Sequence, residues 1–322
     1  MKKLTVLSLS LVLLMIIAPL EVCFGARQQH LSLATGSQGG TYYPVGVGIA
    51  QIVTENVPDL VIEPEVTGAA VENLILVGTG EAQMGITTAE ALYQGTLGLS
   101  PFREAYKDIQ VMFSGLQPGA MQVVTLENSG ITSIKQLKGK RVALGPQGGS
   151  GWKNFELLLE FYGMTLKDFK TTFVSYGESV TQLKDGNVDA AVILAGIPTS
   201  AINELGVRHK FRILEVEPDI LEAFMTKYPY YTTVEIAPSV YGLSETVKVF
   251  ATVNMVVVHK SVDKDAVYKA TKAVFENLPK LHGIHPAATA ITLETGSSYK
   301  GHAYHQGSAA FFKEKGIEVP TE

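Results

Sequence analysis

Cysteine is nearly absent: the 322 residues contain one, Cys23. A disulfide framework and a multi-cysteine metal site are therefore excluded. Basic charge is also scarce. Lys and Arg number 26 against 31 Asp and Glu, a formal charge of −5, so the chain lacks the footprint of a nucleic-acid binder. Beyond the N-terminus no apolar run reaches the ~18 residues that would read as a membrane span. Repeats of solenoid period and low-complexity tracts are missing. Enzyme motifs fail as well. Gly148–Lys153 lacks the Gly-Lys-Ser/Thr of a phosphate loop. Gly149-Ser150-Gly151 meets Asn154 where a dinucleotide fingerprint needs glycine. Trp152 stands where G-x-S-x-G ends in glycine. No convergent acid/base pair is present, and the chain reads as a non-enzyme without cofactor.

What is present is a globular composition, 46% apolar and 18% charged. At roughly 100–200 residues per domain, the length predicts two lobes. The start reads as an address. Met1-Lys2-Lys3 is a short basic segment, Leu4 to Leu20 is almost wholly apolar, and Val22-Cys23-Phe24-Gly25-Ala26 precedes polar Arg27. This order predicts a secretory signal peptide over 1–25, cleaved after Gly25. A retained anchor and a lipoprotein using Cys23 are the competing readings, the latter opposed by Glu21 and Val22. Cleavage removes Lys2, Lys3 and Glu21, which leaves the chain one unit more acidic, free of cysteine, secreted to the periplasm and not membrane-embedded.

Short β-rich runs then alternate with helical patterns. Strands are expected at Leu31–Thr35, Val61–Val66, Gln83–Thr87 and Ile109–Leu116, with helices marked by Val45, Ile49, Ile52 and Val53, over Val71–Val77, and over Ala89–Gln94. A second unit starts near Met121–Thr125, with strands at Arg141–Leu144, Thr172–Ser175 and Asp189–Leu194 and helices at Ser133–Leu137, Trp152–Tyr162 and Ser179–Lys184. Val247–His259 is too long for an average strand and reads as a return crossing, after which helices at Lys264–Asn277 and Ala309–Lys315 rejoin the first unit. The rhythm predicts α/β lobes with mainly parallel sheets. Lobe 1 is expected over 26–118 plus 245–322 and lobe 2 over 119–244, with crossings near 117–121 and 236–252.

Four segments share a design in which a strand ends, small residues follow and a helix starts. They are Thr35–Pro44, Thr67–Ala70, Gly145–Trp152 and Ala195–Pro198. Pro44 suits a first helical turn, Ser150 an N-cap, and Pro198 the first helical position. Such turns expose backbone N–H groups at a positive dipole end, which suits a carboxylate. Ordinary strand-to-helix turns are the plain alternative. Gly40, Thr41, Tyr42, Thr67, Asn73, Gly149, Ser150, Gly151, Trp152, Gly196 and Pro198 are the candidate ligand contacts. Lys153 either pairs with a second ligand carboxylate or stays solvated. His282 with His285, and His302 with His305, have helical spacing that imitates a metal site, but no supporting ligand residue accompanies them; surface and packing roles are the competing reading. The aromatic run Tyr228-Pro229-Tyr230-Tyr231 either packs a helix end or meets a ligand or partner.

The chain resembles the TAXI family of solute-binding proteins, the extracytoplasmic receptors of TRAP transporters, over about residues 30–318. The resemblance lies in Ala34–Gly46, Thr67–Leu74, Gly148–Gly151, Val188–Val192 running to Gly196-Ile197-Pro198, and His305–Ala309. It implies a type II periplasmic-binding-protein fold, two α/β lobes joined by a hinge with a central ligand cleft. It also implies TRAP membrane subunits as partners and a small carboxylate or amino-acid ligand such as glutamate, glutamine or a 2-oxoglutarate-like diacid. The cleft-lining role it implies falls on Thr41, Tyr42, Asn73, Gly149, Ser150, Gly151 and Pro198. Trp152 and Lys153 depart from the Thr, often followed by Glu, of many relatives. A periplasmic sensor feeding a membrane kinase, and an enzyme on the same two-lobed fold, are the alternative functions.

Overall fold

The computed structural model describes residues 28–228 and 231–322. The signal-peptide reading over 1–25, Pro229 and Tyr230 lie outside them. The chain opens with β1 (Gln29–Ala34), α1 (Tyr42–Asn56), β2 (Leu60–Glu65), α2 (Ala70–Thr79), β3 (Met84–Thr88) and α3 (Ala89–Leu97). The 18-residue strand β4 (Ile109–Leu126) carries it into β5 (Arg141–Ala143), α4 (Gly151–Glu160), β6 (Lys170–Thr172), α5 (Tyr176–Lys184), β7 (Ala190–Ala195) and α6 (Ser200–Gly206). Then come β8 (Phe211–Ile213), α7 (Pro218–Lys227), β9 (Thr232–Ile236), α8 (Pro238–Tyr241) and β10 (Val247–His259). The chain closes with α9 (Lys264–Glu276), α10 (Leu278–Ile284), α11 (Leu293–Gly296) and α12 (Gln306–Glu314). Local chemistry fixes several boundaries. The Thr88 hydroxyl accepts from the Ala91 N–H at 3.3 Å to start α3, and Gly98 ends it in the left-handed conformation.

Two strands join the lobes. β4 pairs with β10 through Ile109–Ala120 and with β7 and β8 through Ala120–Leu126. β10 pairs with β9 through Val247–Ala251, and with β3 through Asn254–Val258. The change of partner coincides with register shifts around Thr252 and Asn254, opposite Leu116–Ala120. Bulges bend a ladder, so the hinge lies where hydrogen bonding is least regular. The partner change in β10 falls after Ala251, beyond the expected boundary at 245.

The mainly parallel sheet of the sequence reading is corrected. The strand order is β2-β1-β3-β10-β4-β7-β5-β6, with β8 on β4 and β9 on β10. Parallel strand pairing is confined to β2-β1-β3 and β6-β5-β7, and β4 and β10 pair with every neighbouring strand antiparallel, an isolated parallel bridge from Val111 to Tyr304 aside. The reason is directional: one hinge strand leaves the first lobe and the other returns to it. The strand expected at Ile109–Leu116 also continues, unbroken, past the expected start of the second unit at Met121–Thr125. Pro118 and Gly119 read as a break, yet the backbone stays extended across them. Ser133–Leu137 is a 3-10 turn over Ile134–Leu137, and the third strand of lobe 2 ends at Thr172.

Each lobe has its own apolar core. Leu33, Ile49, Ile52, Leu74, Phe113, Phe311 and Phe312 fill the first. In the second, alternate residues of β7 face opposite sides. Ala190 and Val192 join Phe155, Leu158 and Phe224, while Ala191 and Ile193 join Val180, Ile202 and Ile236. Arg141 fastens β5 to β7: its main-chain N–H and Nε both donate to Asp189 Oδ2, at 2.8 and 3.1 Å, and its Nη2 donates to Oδ1 at 2.7 Å.

The Arg141 guanidinium holds the Asp189 carboxyl below the usual range. A lowered carboxyl pKa adds stability above the unfolded-state value, and this is lost as pH falls through the native one. With Arg141 44% exposed, solvent screening limits the contribution to about 1 kcal/mol. Asp189→Asn is expected to cost that amount near neutral pH and less at about pH 2–3. Urea melts at both pH values check this; an equal cost at each would overturn it.

Candidate functional site

The four glycine-rich turns do two different jobs. Those before α2 and α6 spend their helix amides on the opposite lobe. Val71 N and Glu72 N both donate to the Gly148 carbonyl, at 3.1 and 2.9 Å. In return, Ala201 N at the start of α6 donates to the Gly39 carbonyl at 3.0 Å. Gly196 N adds a bond to Thr41 Oγ1 at 2.7 Å. These bonds latch the lobes together. The turns before α1 and α4 remain open. Neither Thr41 nor Ser150 caps its helix through its side chain, so first-turn amides of both helices stay available to a ligand.

Between those two helix starts lies a cleft enclosing about 420 Å³ with its mouth. Ser37, Gly40, Thr41, Tyr42, Ala69, Ala70 and Thr88 line it from the first lobe. Gly149, Ser150, Gly151, Tyr176, Leu194 and Ala195 line it from the second, and Gly119, Thr252 and Asn254 from the hinge. A smaller side cavity shares Thr41, Tyr42 and Asn254 and adds Gln117 and Gly196. The Tyr42 hydroxyl donates to Asn254 Oδ1 at 2.7 Å, and Asn254 Nδ2 donates to the Gln117 carbonyl at 2.6 Å. Among the described residues no Lys, Arg or His lines either cavity.

The structure thus brings Gly40, Thr41, Tyr42, Gly149, Ser150 and Gly151 around one cleft, with Gly196 beside it. It places four other candidates elsewhere. Asn73 is fully buried, and its Nδ2 donates to the Thr35 and Ile86 carbonyls at 2.6 and 2.7 Å. Thr67 donates to Asn73 Oδ1 at 2.5 Å, so this pair braces the loop from behind. Trp152 donates its Nε1–H to the Gln147 carbonyl and packs edge-on against Phe173, off the cleft wall. Pro198 precedes the helix, since Thr199 is the N-cap and α6 starts at Ser200; it does not occupy the first helical position. Ser150 does stand at the N-cap of α4, but its backbone is already helical (φ −84°, ψ −12°), whereas a capping side chain needs an extended one. Lys153 pairs with Glu156 at 2.7 Å.

Several cleft-associated residues were not among the candidate contacts. The Ser37 hydroxyl is buried with no partner among the described residues. Tyr176 bridges the Leu194 carbonyl and amide, and burial pushes its phenol up to about 12. Glu90 sits behind the wall, 5% exposed, and Asn154 Nδ2 donates to its Oε1 at 3.1 Å across the lobe boundary. Tyr231 donates to Asn154 Oδ1 at 3.0 Å. Burial raises the Glu90 carboxyl; bonds from Asn154, its own backbone N–H, Thr88 and Ser150 oppose that rise. Ser37, inside the first glycine-rich turn, and Tyr231, inside the aromatic run, carried a local signal. Tyr231 also settles the aromatic run in part: it packs with Phe224 and Phe250 in the second core.

The histidines serve the backbone. His285 Nδ1 accepts from Ala287 N and His305 Nδ1 from Gly307 N, at 3.1 and 3.2 Å. His282 and His302 each bond a main-chain carbonyl, of Ile291 and Ile109.

Ala69, at φ +86° and ψ −147°, is the non-glycine residue held in positive φ among the described residues. That conformation costs roughly 1–3 kcal/mol. Ala69→Gly relieves it and returns about 0.4–1 kcal/mol in unfolded-chain entropy. A net gain of about 1 kcal/mol is expected in denaturant melts, and a loss would overturn the assignment. Gly68 is needed for contact: a Cβ there would stand 2.9 Å from Gly148 Cα, main chain of the other lobe. Gly68→Ala is expected to open the lobes without unfolding either. Small-angle scattering would report a larger radius of gyration at an unchanged circular dichroism spectrum; an unchanged radius would sink the latch assignment.

The fold has solved counterparts of low identity. One is PhnD1 from Prochlorococcus marinus (MIT 9301) in complex with methylphosphonate, 11% identical, with a TM-score of 0.52 over 81% of this chain and 90% of that one. Another is a periplasmic transporter, 16% identical, with a TM-score of 0.55 over 90% and 93%. Both support the type II periplasmic-binding-protein fold that β4, β10 and the two lobes display. Residues 33–316 match the NMT1-like family. That match spans nearly all of the described chain, and the protein belongs to the NMT1-like family.

Proposed function

We propose that this protein is a periplasmic solute-binding receptor that captures a small carboxylate between its lobes and hands it to the membrane subunits of a transporter. Its resemblance to TAXI receptors makes a TRAP-type secondary transporter the partner. One observation carries the reading: two helix N-termini, one from each lobe, open on the same cleft with uncapped first turns. A carboxylate placed there meets backbone donors from both lobes at once. Each dipole contributes roughly 0.3–1 kcal/mol, up to about 2 when partly buried. Micromolar affinity needs about 8 kcal/mol. The hydroxyls of Ser37, Thr41, Thr88, Ser150 and Thr252, together with desolvation on closure, supply the difference.

Thermal melting of the protein against small carboxylates, amino acids, sugars, methylphosphonate and alkanesulfonates is the direct test. A ligand that binds only the native state raises the melting temperature. A rise of several degrees with a carboxylate, absent with sugars, is expected. A rise with phosphonates or sulfonates alone would overturn the carboxylate assignment. Uptake of the labelled ligand by cells with and without the receptor then tests transport; unchanged uptake would overturn delivery and favour a sensory role.

A further inference from the structure

We propose that Glu90 reads the charge of the ligand, favouring a solute that carries an ammonium group beside a single carboxylate and rejecting a second carboxylate. The inference rests on the capture reading above. Glu90 is the second residue of α3 and is 5% exposed. Its carboxylate is surrounded by donors. Tyr231 donates to Asn154 Oδ1, which turns the Asn154 NH2 group toward Glu90. Thr88 and Ser150, whose hydroxyls hold its carboxyl down against the effect of burial, stand on the cleft wall. A protonated carboxyl would have to donate a hydrogen bond, whereas this shell and the α3 dipole favour the ionised acceptor. Yet Glu90 has no cationic partner among the described residues, and the nearby titratable groups are the phenols of Tyr42 and Tyr299. A buried carboxylate without a cation is costly unless something completes it.

The cleft supplies no cation of its own. Lys153, which would have balanced a second ligand carboxylate, is held by Glu156 and lies over the Trp152 ring. A zwitterion satisfies both halves of the site: its carboxylate takes the helix amides, and its ammonium rests on the Thr88 and Ser150 wall, behind which Glu90 lies. The unpartnered Ser37 hydroxyl offers a further bond on the same wall. A dicarboxylate would add two negative charges beside a third.

Calorimetry on the full chain tests this with alanine, norvaline and norleucine, the 2-hydroxy and 2-oxo acid of each, and glutarate and 2-oxoglutarate. An opposite charge within about 4–6 Å shifts a proton equilibrium by roughly 10- to 1000-fold. The amino acids are expected to bind tighter than their 2-oxo counterparts by a factor in that range, and the diacids more weakly still. Glu90→Gln is expected to shrink the amino-to-oxo ratio by roughly tenfold or more. Its melting temperature reports whether it folds; should it not, the wild-type ratio decides alone. Equal binding of amino and oxo acids, tighter binding of a diacid, or an unchanged ratio in folded Glu90→Gln overturns the role of Glu90 and leaves capture standing. Binding by none of these acids overturns both.

Discussion

Closure rests on carbonyls of one lobe inserted at helix starts of the other. Gly148 of the second lobe accepts two amides from α2, and Gly39 of the first accepts one from α6. With the Gly196–Thr41 bond, these latches place four hydrogen bonds across the boundary, beside the Asn154–Glu90 bond. Each is worth roughly 0.5–1.5 kcal/mol net, so together they contribute on the order of 2–6 kcal/mol if additive. That is the scale on which a ligand shifts an open–closed equilibrium. The latches are reciprocal, so neither lobe can rotate away without stranding amides that the helix leaves unpaired. They also explain why the cleft is bounded by α1 and α4. The other two helix starts are consumed in holding the walls together.

The consequence for chemistry is a site rich in hydrogen-bond donors and poor in charge. Amides and hydroxyls have fixed or short-tethered positions, and ordering them costs little compared with a long Lys or Arg side chain. A donor wall built this way recognises one anionic group through geometry. The balance of any further charge then falls to the buried carboxyl behind the wall, Glu90. Asn154 ties that carboxylate to the second lobe, so the group that senses ligand charge also takes part in closure.

The glycine-rich turns were legible because they are local: a strand, small residues, then a helix with a buried stripe. That signal located Gly40 to Tyr42 and Gly149 to Gly151. It also selected the α2 turn, which looks the same in sequence. What distinguishes the two is tertiary, since only the α2 amides meet the Gly148 carbonyl. Asn73 was read as a ligand contact because it sits beside that turn; the fold uses its amide on two core carbonyls instead. Glu90 and Asn154 left no local trace, and Tyr231 stood out only as part of an aromatic run. They lie 64 and 77 residues apart in successive pairs, and each is an ordinary helix or core residue taken alone. The parallel sheet was overestimated for a similar reason. Alternation of strands and helices reports each lobe, but the direction of a hinge strand depends on which lobe it leaves.

The hinge and the latches impose complementary demands. β4 and β10 must run unbroken through both sheets, yet bend between them, and the register shifts at Thr252–Asn254 opposite Leu116–Ala120 meet both needs. Asn254 sits at that point. It accepts from Tyr42 and donates to the Gln117 carbonyl, while Gln117 Oε1 accepts from Ile197 N. A single polar chain therefore runs from the first turn of α1 through the hinge to the turn before α6. Closure at the latches and bending at the hinge are coupled through it. A ligand that orders Tyr42 acts on both, because the tyrosine reaches the cleft and the hinge with the same side chain.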